Sequence, residues 1–169
     1  RESSREAMVK IYGFAPENMD QHIAWTNEAG KLSRQLPACP LMHGTGLFTA
    51  MGSMIAGGCI VTLQNTKTFD PVELWETVDR HGVTAMAIVG DAFAKPMLKV
   101  LEANPGKYDL SSVQTITSSG VMWSMEVKRG LIKHIPQVAL MDSFGASEAV
   151  GFGMSVTTAD GVQQTAKFQ

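Results

Sequence analysis

Three features of this 169-residue sequence predict an α/β fold, a mostly parallel sheet flanked by helices in the doubly wound manner. Short apolar runs rich in β-branched residues alternate with amphipathic helical patterns, the signature of strand-helix-strand units. The run 83–89 (VTAMAIV) is apolar on both faces, as expected of a parallel strand covered above and below. Polar, glycine-bearing clusters then follow the runs, at 43–46, 118–120 and 142–153.

Each element has its own local reason. The first 30 residues pattern as one or two surface helices, so 1–35 is expected as an N-terminal helical segment and 36–169 as the α/β subdomain. Residues 36–41 read as a strand, 45–56 as an apolar helix and 59–63 (CIVTL) as a β-branched strand. Asp70, Pro71 and Glu73 supply an N-cap, a first-turn proline and a capping-box acid. Leu74, Trp75 and Val78 share one face of the helix that follows, and Gly82 lies where a left-handed C-cap belongs. A helix over 93–101 is expected to carry Pro96 in its first turn, because an interior proline loses a hydrogen bond and clashes with the preceding turn. An Asn104-Pro105-Gly106 turn, a strand at 113–117, a helix at 124–134 and a strand at 137–141 follow. Finally, 149–157 and 162–168 flank Asp160-Gly161, the signal of a short β-hairpin near the C-terminus.

Composition removes several classes of function. Lys and Arg (14) are balanced by Asp and Glu (16) and scattered, so no basic stripe exists to neutralise a row of phosphates, and a nucleic-acid partner is not expected. The longest apolar stretch, 47–63, is interrupted by Gly52, Gly57 and Gly58 and falls short of the ~20 continuous apolar residues of a spanning helix. Cys39 and Cys59 have no CxxC partner or histidine at ligand spacing, which predicts buried thiols in a reducing cytoplasm. His22, His81 and His134 fit surface or helix-end positions. The methionines flanking the clusters, Met42, Met122 and Met154, suit either core gaps or an adaptable pocket. Oligomeric state is left open, a homo-oligomer included.

In open α/β sheets ligands bind beyond the carboxyl ends of the strands, so the three polar clusters should share one edge. His43-Gly44-Thr45-Gly46 lacks the full spacing of a phosphate loop, and an ordinary loop is the simpler reading. Ser118-Ser119-Gly120 could equally be a capping segment, with Ser119 or Ser124 as the cap. The richest stretch is DSFGASEAVGFG, 142–153: a ring to stack on a base, a glycine for close approach, a hydroxyl for phosphate and a carboxylate for Mg2+. Spacing alone does not separate that pocket from a turn with a solvated Glu148.

The succession PLMHGTG (40–46), GSMIAGGCIVTL (52–63), FDPVELWETVDRHGVTAMAIV (69–89), SSG (118–120) and DSFGASEAVG (142–151) resembles the adenylate-forming acyl-CoA synthetase superfamily, with the fatty-acyl-CoA branch the most similar. FGASE matches that family's aromatic-Gly-x-Thr-Glu motif, with Phe144 for Tyr and Ser147 for Thr. The resemblance covers 36–155 and implies one subdomain of a larger adenylate-forming domain. It also implies roles: Phe144 stacking on adenine, with Asp142, Ser143, Gly145 and the Ser118, Ser119, Gly120 backbone around the base. Ser147 would contact phosphate, Glu148 would ligate Mg2+, and His43 would border the acyl carboxylate. The implied substrates are a carboxylic acid, ATP and coenzyme A. The family's phosphate loop before residue 36, and its ribose-binding Asp and catalytic Lys after Glu148, have no counterpart here, which predicts an internal fragment inactive by itself. A non-catalytic nucleotide-binding α/β module remains the alternative, and a Rossmann oxidoreductase lacks its GxGxxG.

Overall fold

The computed structural model describes residues 17, 18, 20, 21, 23, 24, 32–65, 67–146 and 149–164. Most of the expected N-terminal helical segment, including His22, lies outside them. Among the described residues from 32 onward the elements in order are β1 (Arg34–Pro37), α1 (Gly44–Ile55), β2 (Cys59–Ile60), α2 (Pro71–His81), β3 (Ala85–Ile88), α3 (Gly90–Ala103), β4 (Thr115–Ser119), α4 (Met125–His134), β5 (Ala139–Ala146), β6 (Ala149–Thr158) and β7 (Gly161–Gln164).

The strands form one sheet in the order β2-β1-β3-β4-β5-β6-β7, parallel from β2 through β5 and antiparallel from β5 to β7. The expected α/β class and C-terminal hairpin are therefore present. Helices α2, α3 and α4 lie side by side and enclose the main core with one face of the sheet. Trp75, Leu74 and Val78 from α2, Met97 and Leu101 from α3 and Leu131 from α4 meet Leu36, Met86, Ile88, Ile116 and Leu140 there. Helix α1 packs on β1, β2 and β3 but adds no residue to that core, so it covers the opposite face.

Local chemistry explains the helix boundaries. Asp70 accepts from Val72 N–H at 2.8 Å and Glu73 N–H at 3.3 Å, Pro71 opens the helix, and Gly82 closes it with φ 58°. Pro96 overturns one expectation: α3 begins three residues earlier, at Gly90, and holds Pro96 in its interior. The missing N–H is tolerated because Ala94, Met97 and Leu101 are buried on the inner face and the Trp75 indole donates to the Met97 carbonyl at 3.0 Å. The 59–63 strand shrinks to Cys59–Ile60 at the sheet edge, where only one neighbour exists to pair with. β1 begins and ends earlier than expected. Cys39 is buried, and burial pushes its thiol up, but Cys59 is exposed, against expectation; both thiols are free.

Candidate functional site

From β1 the chain moves outward to β2 on one side and then to β3, β4 and β5 on the other, so strand order reverses between β1 and β3. A crevice opens at such a reversal, beyond the strands' carboxyl ends. The register shows the core changing character as it approaches that edge. Met86, Ile116 and Leu140 form an apolar row across β3, β4 and β5, and two residues onward the row is Ile88, Ser118 and Asp142. With a side-chain period of two, both rows face α2–α4, so polar groups enter the core layer only at its rim.

His43 is the N-cap of α1: its Nδ1 accepts from the Thr45 N–H at 3.2 Å. In the neutral ring the proton then sits on Nε2. That atom lies 3.3 Å from where a Cβ on Gly120 would stand. Gly120 has φ 89°, a conformation that L side chains avoid, so glycine there serves both the backbone and the close approach of the imidazole. HGTG is accordingly a helix start and not a phosphate cradle. Gly46 fits because a Cβ there would meet the Pro40 and Cys39 carbonyl oxygens at 2.9 and 3.1 Å.

The loops after β3 and β4 are tied together. Gly90, at φ 52°, donates its N–H to the Ser118 hydroxyl at 2.8 Å, and a Cβ on it would strike the Met122 and Val121 carbonyl oxygens at 2.7 and 2.9 Å. Asp91 Oδ1 accepts from the Ser124 N–H at 3.0 Å and its hydroxyl at 3.1 Å, while Oδ2 lies 3.2 Å from Lys95 Nζ. Burial raises the Asp91 carboxyl, but the Ser124 bonds and the Lys95 charge outweigh it and hold the group below its ordinary value. These bonds make the two loops one wall.

Ser118 is turned inward and buried, so what it offers a ligand is backbone; Ser119 lies on the opposite face, half-buried and in register with Ser143. Ser118 and Ser119 are the last residues of β4, and Asp142, Ser143, Phe144 and Gly145 belong to β5, so both clusters sit in strand ends where loops were expected. β5 extends to Ala146 because β6 pairs with it, Phe144 opposite Gly153, with a bulge before Ala146. Phe144 is 60% exposed, a flat apolar face at the rim. Asp142 is held by the Nζ of Lys128, which reaches it from α4. Met42 (93% exposed) and Met122 (83%) flank the His43 and Gly120 pair in sequence. Ser147 and Glu148 lie outside the described residues. Among those described, no group of three or more metal-ligating side chains occurs, and no helix is long and apolar enough to cross a membrane.

Lys128, Asp91 and Gly90 were not foreseen from sequence. Lys128 left a signal: it shares the helical spacing i, i+3, i+7 with Leu131 and Ile135, a core stripe in which a lysine is out of place.

The family model for AMP-binding enzymes matches residues 8–168, almost the whole chain. The chain belongs to the AMP-binding enzyme family. Among AMP-binding enzymes it is 36% identical over 121 residues to a 3-oxocholest-4-en-26-oate--CoA ligase of Rhodococcus rhodochrous, covering 69% of this chain and 21% of that protein. It is 33% identical over 132 residues to a medium/long-chain-fatty-acid--CoA/3-oxocholest-4-en-26-oate--CoA ligase of Mycolicibacterium smegmatis, covering 76% and 23%. The chain thus spans less than a quarter of the length of these relatives. The inhibitor-bound N-terminal domain of FACL13 from Mycobacterium tuberculosis superimposes with TM-score 0.62 at 17% identity, over 76% of this chain and 30% of that one. At that identity the likeness speaks for the AMP-binding fold alone.

Proposed function

We propose that the protein containing this chain is an ATP-dependent acyl-CoA synthetase and that 36–155 forms the adenylate wall of its active site. The observation that supports the reading is the close approach of His43 to Gly120 just after β4, with Asp142 and Phe144 near the end of neighbouring β5, in a chain of the AMP-binding family. An acid carboxylate would attack the α-phosphorus of ATP, forming acyl-AMP as the bond to pyrophosphate breaks. The coenzyme A thiolate would then attack the acyl carbon and release AMP.

The residues fit those parts. Phe144 offers the face for adenine, and the Gly120 backbone can approach the base closely because it carries no side chain. The His43 Nε2–H is directed across Gly120, where it can donate to a carboxylate or phosphate oxygen without a proton leaving the ring. Mg2+ on a nucleotide takes one or two protein carboxylates and completes its shell with water and phosphate. Asp142 is already engaged by Lys128, so Glu148 is the acid we assign to the metal and Ser147 the hydroxyl we assign to phosphate. The metal would neutralise charge growing on the phosphate oxygens. Exposed Met42, Met122, Val121 and Phe48 favour a large apolar acid, of the fatty or steroid side-chain kind acted on by the relatives, since methionine adapts to irregular apolar shapes. Two free thiols accord with a cytoplasmic location.

The full-length protein, incubated with ATP, coenzyme A and a panel of carboxylic acids, should release pyrophosphate only when an apolar acid is present. Pyrophosphate release indifferent to every acid would end the reading. Glu148→Gln should slow adenylation by about a hundredfold or more with little change in stability, as expected for loss of a carboxylate whose work is to bind the metal.

A further inference from the structure

One buried cation has no part in the chemistry above. Lys128 projects from the inner face of α4, between Val127 and Leu131 in a buried stripe, and its side chain is only 4% exposed. Its Nζ donates to Asp142 Oδ2 and stands 5.4 Å from the centroid of the Trp123 ring, which is itself buried. The Trp123 Nε1 has no hydrogen-bond partner among the described residues. Asp142 keeps 33% of its side-chain surface, and its Oδ1 has no protein partner among them. Packing does not require this arrangement: an apolar side chain would fill the stripe, and a buried ion pair is weak as a source of stability. What the pair does supply is a fixed carboxylate, with Oδ2 occupied from α4 and a third of the side-chain surface left open, one strand from Ser118.

We infer that Lys128 is a positioning residue for nucleotide recognition. Held between the Trp123 ring and the end of β5, its ammonium fixes the Asp142 carboxylate so that Oδ1 accepts an N–H of the bound base. The inference rests on reading this edge as the adenylate site. Without the ammonium, Asp142 would lose its anchor and its charge would lack compensation, and the nucleotide would be bound less well. The acid, bound elsewhere in the crevice, would be unaffected.

The test is a cycle in the full-length protein with Lys128→Met, Asp142→Asn and the double variant. Calorimetry would read AMP binding, and pyrophosphate release would read KM for ATP and for the acid separately. Lys128→Met is expected to weaken AMP and raise the ATP KM about tenfold, the scale of one hydrogen bond to a charged group, with the acid KM unchanged. In the Asp142→Asn background the same change should shift the ATP KM less than about twofold, since no carboxylate remains to be held. Lys128→Arg, which keeps a cation, should recover most of the binding and covers the case in which the Met variant does not fold. An equal penalty in both backgrounds, an unchanged ATP KM, or a parallel loss for the acid would overturn the inference. AMP binding that depends on Lys128 in a protein that activates no acid would leave the inference standing and remove the synthetase. Acid activation with AMP binding indifferent to Lys128 would do the reverse, and a wild-type protein that binds no AMP would overturn both.

Discussion

His43 caps α1 with one ring nitrogen and directs the other over the backbone of Gly120, and the second relation depends on a missing side chain. Gly120→Ala adds a Cβ at φ 89° with the imidazole 3.3 Å away, so strain and displacement coincide. Acid-dependent pyrophosphate release should fall at least about tenfold, as expected when a donor is moved off its target, and steady-state kinetics would measure it. Asp91 invites a test of stability. Asp91→Ala removes both bonds from Ser124 and should cost about 1–2 kcal/mol in urea unfolding at pH 7. Its carboxyl is held below the ordinary value of 3.8, so the contribution is complete above that pH and declines as pH falls through the lower folded value. The variant and the parent should therefore converge in acid and differ at neutrality. At this scale the sequence displayed residue types but not directions. Phe144 and Asp142 stand out in DSFGASE, whereas nothing in SSG tells that the Ser118 side chain is turned inward by the alternation of β4 and leaves only its backbone to a ligand. Lys128 does not stand out in the sequence, because a lone lysine in a helix usually points to water.

At the scale of elements, α2 was legible from end to end, since Asp70, Pro71 and Gly82 fix its termini by short-range chemistry. α3 was not, because its start depends on Gly90 meeting the loop after β4, a contact about thirty residues away in sequence, and its proline is tolerated by packing. Pro96→Ala restores an N–H for the turn before it and should stabilise the protein by about 1–2 kcal/mol, net of the freedom returned to the unfolded chain. Chemical denaturation would detect it, and a loss of stability would mean that the pyrrolidine ring packs better than the helix bonds it removes. Close packing of α3 on α4 has a comparable weak point. A Cβ on Gly130 would lie 2.5 Å from a Leu98 methyl, so Gly130→Ala should lower stability by about 1–3 kcal/mol despite the better helix propensity of alanine, with a shifted denaturation midpoint as the measure. The sequence pattern ends β5 at 141 because the residues beyond are polar and glycine-bearing, and only pairing with β6 makes them a strand.

For the whole molecule, alternation of strand and helix announced the class, but the order β2-β1-β3-β4-β5 comes from pairings that no local pattern encodes. That order matters to function, because it turns three separated clusters into one edge where His43 reaches Gly120 and Asp142 lies beside Ser118. α1 faces away from the main core and exposes Leu47, Phe48, Met51, Met54 and Ile55, more apolar surface than a lone helix face usually shows. We propose that this edge binds an adenylate in the act of transfer, not merely a nucleotide. A non-hydrolysable acyl-adenylate analogue, titrated into the full-length protein beside AMP and the free acid, tests that claim most directly. The analogue should bind at least about a hundredfold more tightly than either part, as analogues of reactive species do in a site built for them. Equal affinity for the analogue and AMP would contradict it and leave a nucleotide-binding module in its place.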